Sequence, residues 1–178
     1  MRLFIALDFN PLKNNLSSIQ KRLDRNIAKI KLTSDYHLTL KFLGEVSNNL
    51  VNQIEERLNK INFSQFSLTL DNIGVFPNES YIRVIWIGVR PKEEPTRLKE
   101  DIDNILFELG FKKEPNFYPH ITIGRVKSIK DKEGFIKNLK SIKVDEEELK
   151  IDSFKLMEST LTREGPIYRE ISIFKAKE

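Results

Sequence analysis

The chain predicts an α+β fold: two pseudo-symmetric antiparallel sheets with outer helices, flanking a central cleft. Three observations carry this expectation. Runs with the two-residue alternation of a half-buried strand interleave with runs whose apolar residues recur at helical spacing. The order strand, helix, strand, helix occurs twice, so that residues 1–76 and 80–178 follow one plan. Each half also carries one copy of a four-residue phrase, His37-Leu38-Thr39-Leu40 and His120-Ile121-Thr122-Ile123, in a chain with only two histidines. No linker or low-complexity segment separates the halves, so residues 1–178 read as a single domain made of two repeated lobes.

Taken in order, Arg2–Asp8 is an apolar run that reads as a buried strand. Pro11 opens a helix whose Leu12, Leu16, Ile19 and Leu23 share one face. A short strand around Ile30–Leu32 precedes Tyr36–Leu43, which alternates, carries the first phrase and closes at Gly44. Ser47 is an N-cap candidate for a second helix with Leu50, Val51, Ile54 and Leu58 as its stripe. Phe66–Ile73 and Tyr81–Val89 alternate and form an antiparallel pair joined through Gly74, Pro77 and Asn78. A third helix covers Glu94–Leu109 and stops at Gly110. Phe117–Val126 carries the second phrase, and Glu133–Leu139 is a short helix. Val144–Thr160 reads as one long strand, bent near the acidic run Asp145–Glu148. Gly165-Pro166 is a turn before the last strand, Tyr168–Phe174.

With 178 residues, 39% of them hydrophobic and 31% charged, the chain can bury a substantial interior and is not compositionally disordered. No apolar run is long enough to span a membrane, and Leu3–Leu7 is too short for a signal-peptide core before Asp8 interrupts it. The lack of cysteine excludes disulfides, a thiol nucleophile and thiolate metal sites, and fits a cytoplasmic setting. A net charge of +4 tolerates an anionic partner without demanding one.

The repeated phrase holds the chemistry. In a strand, residues i and i+2 share a face, so each histidine projects together with its threonine while the aliphatics turn inward. Two imidazoles with ordinary pKa values near 6.5 can hold opposite protonation states at neutral pH. Facing one another across a cleft, they suit acid–base attack on a phosphodiester, with Thr39 and Thr122 hydroxyls bonding the non-bridging oxygens. Arg125 is the natural cation for such a phosphate. Strict alternation puts it on the face of Ile121 and Ile123, however, so it can serve only if the strand bulges near Gly124. Lys41 shares parity with His37 and Thr39 and reads as a solvated lysine at a strand end. Trp86 and Phe76 read as core or groove lining, and Tyr168 as a strand residue near the cleft rim.

Rival chemistries fare worse. No H-x-H or H-x-x-x-H spacing exists for a metal, and Asp145–Glu148 reads as a solvated edge. There is no nucleophile elbow and no glycine-rich phosphate loop, so no cofactor is expected.

The chain resembles the two-histidine (2H) phosphoesterases, and within them the RNA 2′,3′-cyclic phosphodiesterase family, also called 2′-5′ RNA ligase. The likeness runs nearly end to end. It covers Met1-Arg2-Leu3-Phe4-Ile5-Ala6-Leu7, the segment from His37 to Val46, Arg83-Val84-Ile85-Trp86-Ile87-Gly88, Tyr118 to Val126, Leu156-Met157-Glu158-Ser159 and Gly165-Pro166-Ile167-Tyr168. The resemblance implies a bilobal fold and metal-independent hydrolysis of RNA ends bearing a 2′,3′-cyclic phosphate, tRNA fragments among them, to 2′-phosphomonoesters. It implies His37 as proton donor and His120 as proton acceptor, with the reverse 2′-5′ ligation open to the same site. A cytoplasmic monomer without metal or membrane partner is expected. Two alternatives remain at this stage: a non-catalytic module binding RNA ends, and a 2H phosphoesterase acting on a small cyclic nucleotide.

Overall fold

The computed structural model describes residues 1–178. Its elements in chain order are β1 (Arg2–Asp8), α1 (Lys13–Lys21), β2 (Ala28–Leu32), β3 (His37–Glu45), α2 (Asn48–Leu58), β4 (Phe66–Asn78) and β5 (Tyr81–Arg90). There follow α3 (Glu93–Phe107), β6 (His120–Ile129), α4 (Lys132–Ser141), β7 (Glu148–Ile151), β8 (Ser153–Thr162) and β9 (Gly165–Lys175). The residues read as the first helix begin with a 3-10 turn at Asn10–Leu12, where Pro11 has no N–H to contribute to a ladder. No helix is long and apolar enough to cross a membrane.

The two antiparallel lobes are present as halves of one curled sheet, in the order β7-β4-β5-β6-β3-β1-β8-β9, with β2 on β6 as well. One half is β3-β1-β8-β9 and the other β6-β5-β4-β7. They join at a single ladder pair, Leu38 opposite Ile121, in the middle of the two histidine phrases. The lobes are not the halves of the chain. β4, from the first half, pairs with β5, while β8 and β9, from the second, extend from β1. This exchange explains why the expected single strand over Val144–Thr160 is two: β7 pairs with β4 in one lobe, Asp152 breaks the run, and β8 pairs with β1 in the other.

Two further expectations change. Gly74 and Pro77 lie inside β4, not in a loop, and only Glu79 and Ser80 separate the two strands. Gly74 is where the Trp86 indole lies on the backbone, so a Cβ there would collide with the ring. Pro77 sits at a register shift near the strand end, where a missing N–H costs little. Ser47 does occupy the N-cap position of α2, but its hydroxyl makes no capping bond; Asp131 caps α4 by accepting from the Gly134 N–H at 2.9 Å.

All four helices bury apolar stripes against one face of the sheet. Leu16 and Ile19 of α1, Val51, Ile54 and Leu58 of α2, Leu98, Ile102 and Leu106 of α3, and Phe135 of α4 join the inward residues of both lobes in one cluster of 38. That cluster includes Leu38, Leu40, Ile121 and Ile123. The aliphatics of the repeated phrases are therefore the buried floor, and the histidines and threonines line the opposite, open face.

Candidate active site

Extending the Leu38–Ile121 register by one residue sets His37 opposite Thr122 and Thr39 opposite His120. All four project to the open face, each partly exposed. The two imidazoles are then diagonal neighbours, a spacing of about 7–8 Å in a regular antiparallel pair. They are close enough that charge on His37 bears on the His120 ring.

Each histidine strand carries a bulge at the same place. Against β1, Ala6 faces Thr39 and Ile5 faces Lys41, leaving Leu40 as the extra residue. Against β5, Trp86 faces Thr122 and Ile85 faces Gly124, leaving Ile123 extra. A bulge resets parity. Arg125 thereby arrives on the open face, where its charge is felt by His120 and by Tyr168. Its counterpart in the other lobe is Phe42, which is 65% exposed. The same reset sends Lys41 inward, contrary to the solvated strand-end lysine expected from alternation; it is 2% exposed.

Buried polar groups from the helices hold both bulges. Lys41 donates to Asp103 of α3 at 2.6 Å and to the Lys112 carbonyl at 2.7 Å. Lys99 donates to the other Asp103 oxygen at 2.6 Å and to the Glu114 carbonyl, while the Glu114 N–H donates to Asp103 at 3.1 Å. Burial alone would raise the Asp103 carboxyl, but the two lysines hold it below its ordinary value. This clasp ties the first bulge to the segment that leads into His120. Under the second bulge, Gln20 of α1 donates to the Ile123 and Thr33 carbonyls, both at 2.8 Å, and accepts from the Tyr36 hydroxyl at 2.7 Å. One amide thus links the residue before His37 to the bulge after Thr122. Neither Gln20 nor Asp103 carried a signal in the sequence; a polar residue on an otherwise apolar helix face is the only hint available.

The imidazoles have different partners. The residue two before His37 is Asp35, whose carboxylate lies 3.7 Å from Nδ1. The His37 ring beside it holds that carboxyl below the ordinary aspartate value, helped by Asn10 against a cost of burial. The residue two before His120 is Tyr118, and its backbone carbonyl lies 2.7 Å from Nδ1. A carbonyl can only accept, so Nδ1 carries the proton and the Nε2 lone pair is free. Burial pushes the His120 pKa below 6.5, with the His37 and Arg125 charges adding to the drop and the Tyr118 carbonyl opposing it.

Aromatic rings wall both sites. Phe76 stands edge-on to His120 at 4.8 Å, with Trp86 and Tyr118 behind it. Phe4 and Tyr168 each lie 5.0 Å from His37. Tyr168 is therefore a direct neighbour of an imidazole, and desolvation raises its phenol above the ordinary value. Asp145–Glu148 lies away from these groups, with Glu146 paired to Arg90 at 2.8 Å.

The LigT like Phosphoesterase family model matches twice, over residues 7–86 and 87–168. The chain belongs to this family. Each match contains one of the two histidine phrases. Among relatives, the RNA 2′,3′-cyclic phosphodiesterase of Methanocaldococcus jannaschii is 40% identical over 174 residues, covering 96% of this chain and 98% of that one. The protein of the same name from Archaeoglobus fulgidus is 36% identical over 180 residues, covering 98% and 100%. Among solved structures, TT0787 of Thermus thermophilus superimposes with a TM-score of 0.84 at 25% identity, covering 98% of this chain and 97% of the other.

Proposed function

We propose that this chain hydrolyses the 2′,3′-cyclic phosphate at RNA ends to a 2′-phosphomonoester, with His120 as base and His37 as acid. The observation that carries the assignment of roles is the contrast at the two Nδ1 atoms: a neutral carbonyl on His120, a carboxylate on His37. The neutral, partly desolvated His120 takes a proton from water at Nε2 as the water oxygen attacks phosphorus. The P–O3′ bond breaks, and the departing 3′ oxygen takes a proton from His37, whose Nδ1 lies 3.7 Å from the Asp35 carboxylate. With an RNA 5′-hydroxyl in place of water, the same base and acid form a P–O5′ bond as the P–O3′ bond breaks, which gives a 2′-5′ linkage. Thr39 and Thr122 donate hydrogen bonds to the non-bridging oxygens, and Arg125 offsets the charge that builds there. The whole chain acts as one catalytic unit, a cytoplasmic monomer needing no metal, with tRNA fragments among its substrates. The names of relatives matched over almost the full chain support the substrate class.

Incubating the protein, in chelator, with RNA ending in a 2′,3′-cyclic phosphate tests this. A 2′-phosphate product lost in His37→Ala and His120→Ala is expected. A 3′-phosphate product, dependence on added metal, or binding without turnover overturns it.

A further inference from the structure

Charge is distributed unevenly over the open face. In the first lobe, two of the cations near His37 are matched by acids, Arg2 being without such a partner: Lys155 lies between Asp8 at 3.0 Å and Glu170 at 2.8 Å, and Arg169 makes two bonds to Glu158. In the second lobe, β2, β6 and β5 as far as Gly88 contain no acidic residue at all. Lys29, Lys31, Arg83, Arg125 and Lys127 are all exposed there, and none has a carboxylate within ion-pair distance. The one polar contact among them is Lys31, which donates to the Glu164 backbone carbonyl at 2.6 Å.

The register makes these side chains one patch. Lys31 faces Arg125 across β2 and β6, and Arg125 faces Val84 across β6 and β5; Arg83, next to Val84, is the extra residue where the β4–β5 register shifts, which resets its parity. Lys29 and Lys127 continue the patch away from His120. At its far end Tyr81 is 62% exposed, with the Arg83 guanidinium 5.5 Å over its ring. Several uncompensated cations beside one exposed aromatic suit a polyanion that also carries stackable bases.

We propose that the single-stranded RNA preceding the cyclic phosphate lies over β2, β6 and the start of β5. Lys29, Lys31 and Lys127 contact its phosphates, and one of its bases stacks at Tyr81–Arg83. This deepens the function proposed above and makes the chain a processor of oligonucleotide ends in preference to free cyclic nucleotides.

The test compares wild type with the triple variant K29Q/K31Q/K127Q. The ratio of kcat/KM for a cyclic-phosphate-ended octanucleotide to that for a 2′,3′-cyclic mononucleotide is expected to fall at least tenfold. A ratio that stays the same, including an equal loss on both substrates, overturns the proposal. Binding of the same octanucleotide with a plain 3′-hydroxyl, followed by fluorescence anisotropy, is independent of any reaction and so separates this proposal from the catalytic reading. Its Kd is expected to rise tenfold or more in the triple variant, and the slope of log K against log salt to shrink by about 2. Unchanged affinity, or polyglutamate binding as tight as RNA in wild type, overturns the RNA assignment.

Discussion

The lobe around His37 and the lobe around His120 share a backbone plan and differ at nearly every side chain that touches the imidazole. Position for position along the paired strands, Asp8 and Ala6 on β1 correspond to Gly88 and Trp86 on β5. Asp35 corresponds to Tyr118, Lys41 to Gly124 and Phe42 to Arg125. A duplicated scaffold thus delivers two identical rings to one face, and the substituted neighbours make them unlike. A carboxylate stands beside one ring, while burial behind an aromatic wall disfavours charge on the other, against the opposing pull of the Tyr118 carbonyl. The lesson is that a symmetric backbone supplies the placement, and the broken symmetry supplies a separate acid and base.

The hardest test of that division is removal of either ring. His37→Ala and His120→Ala should each lower kcat by about 10²–10⁴-fold, and the double variant should be little worse than either single, as groups acting in one step are not additive. Additive losses, measured on RNA with a cyclic-phosphate end, would mean that the lobes act independently.

The buried clasp comes next. Asp103→Asn leaves Lys41 and Lys99 without their shared anion and should cost about 3–5 kcal/mol in denaturant unfolding. The folded carboxyl lies below the ordinary value of 3.8, so its contribution is present above that pH and disappears on acidification through the lowered folded value. Gln20→Leu, which strips the partners from the second bulge, should cost about 2–3 kcal/mol. If the Asp103 variant proves the milder of the two, the first bulge does not depend on its charged clasp.

Swapping the post-bulge residues sharpens the comparison further. Arg125→Gln should lower kcat by about 10²-fold if its charge serves the transition state, whereas Phe42→Ala in the matching place should change it less than about threefold. Equal effects would remove the asymmetry. The smallest expected change is in pH. The acid limb of kcat/KM should fall below pH 6.5, since burial lowers the base.

Much of this was legible before folding. The strands and helices follow from apolar periodicity, and the shared face of His37 with Thr39, and of His120 with Thr122, follows from a repeat of two. Arg125 shows where such reading stops. Alternation alone assigns it inward, and Gly124 only permits the bulge that turns it out. Lys41 fails in the opposite direction, because parity cannot reveal an aspartate 62 residues away that makes burial of an ammonium tolerable.

The residues by themselves determined that each phrase would be a strand with a polar and an apolar face, because that depends on neighbours in the chain. Tertiary structure alone decided that β4 and β8 would exchange lobes, that Leu38 would meet Ile121, and that one imidazole would face a carboxylate and the other a carbonyl. Those outcomes depend on which distant backbones compete for the same hydrogen bonds and the same apolar floor, and no local pattern encodes the winner of that competition.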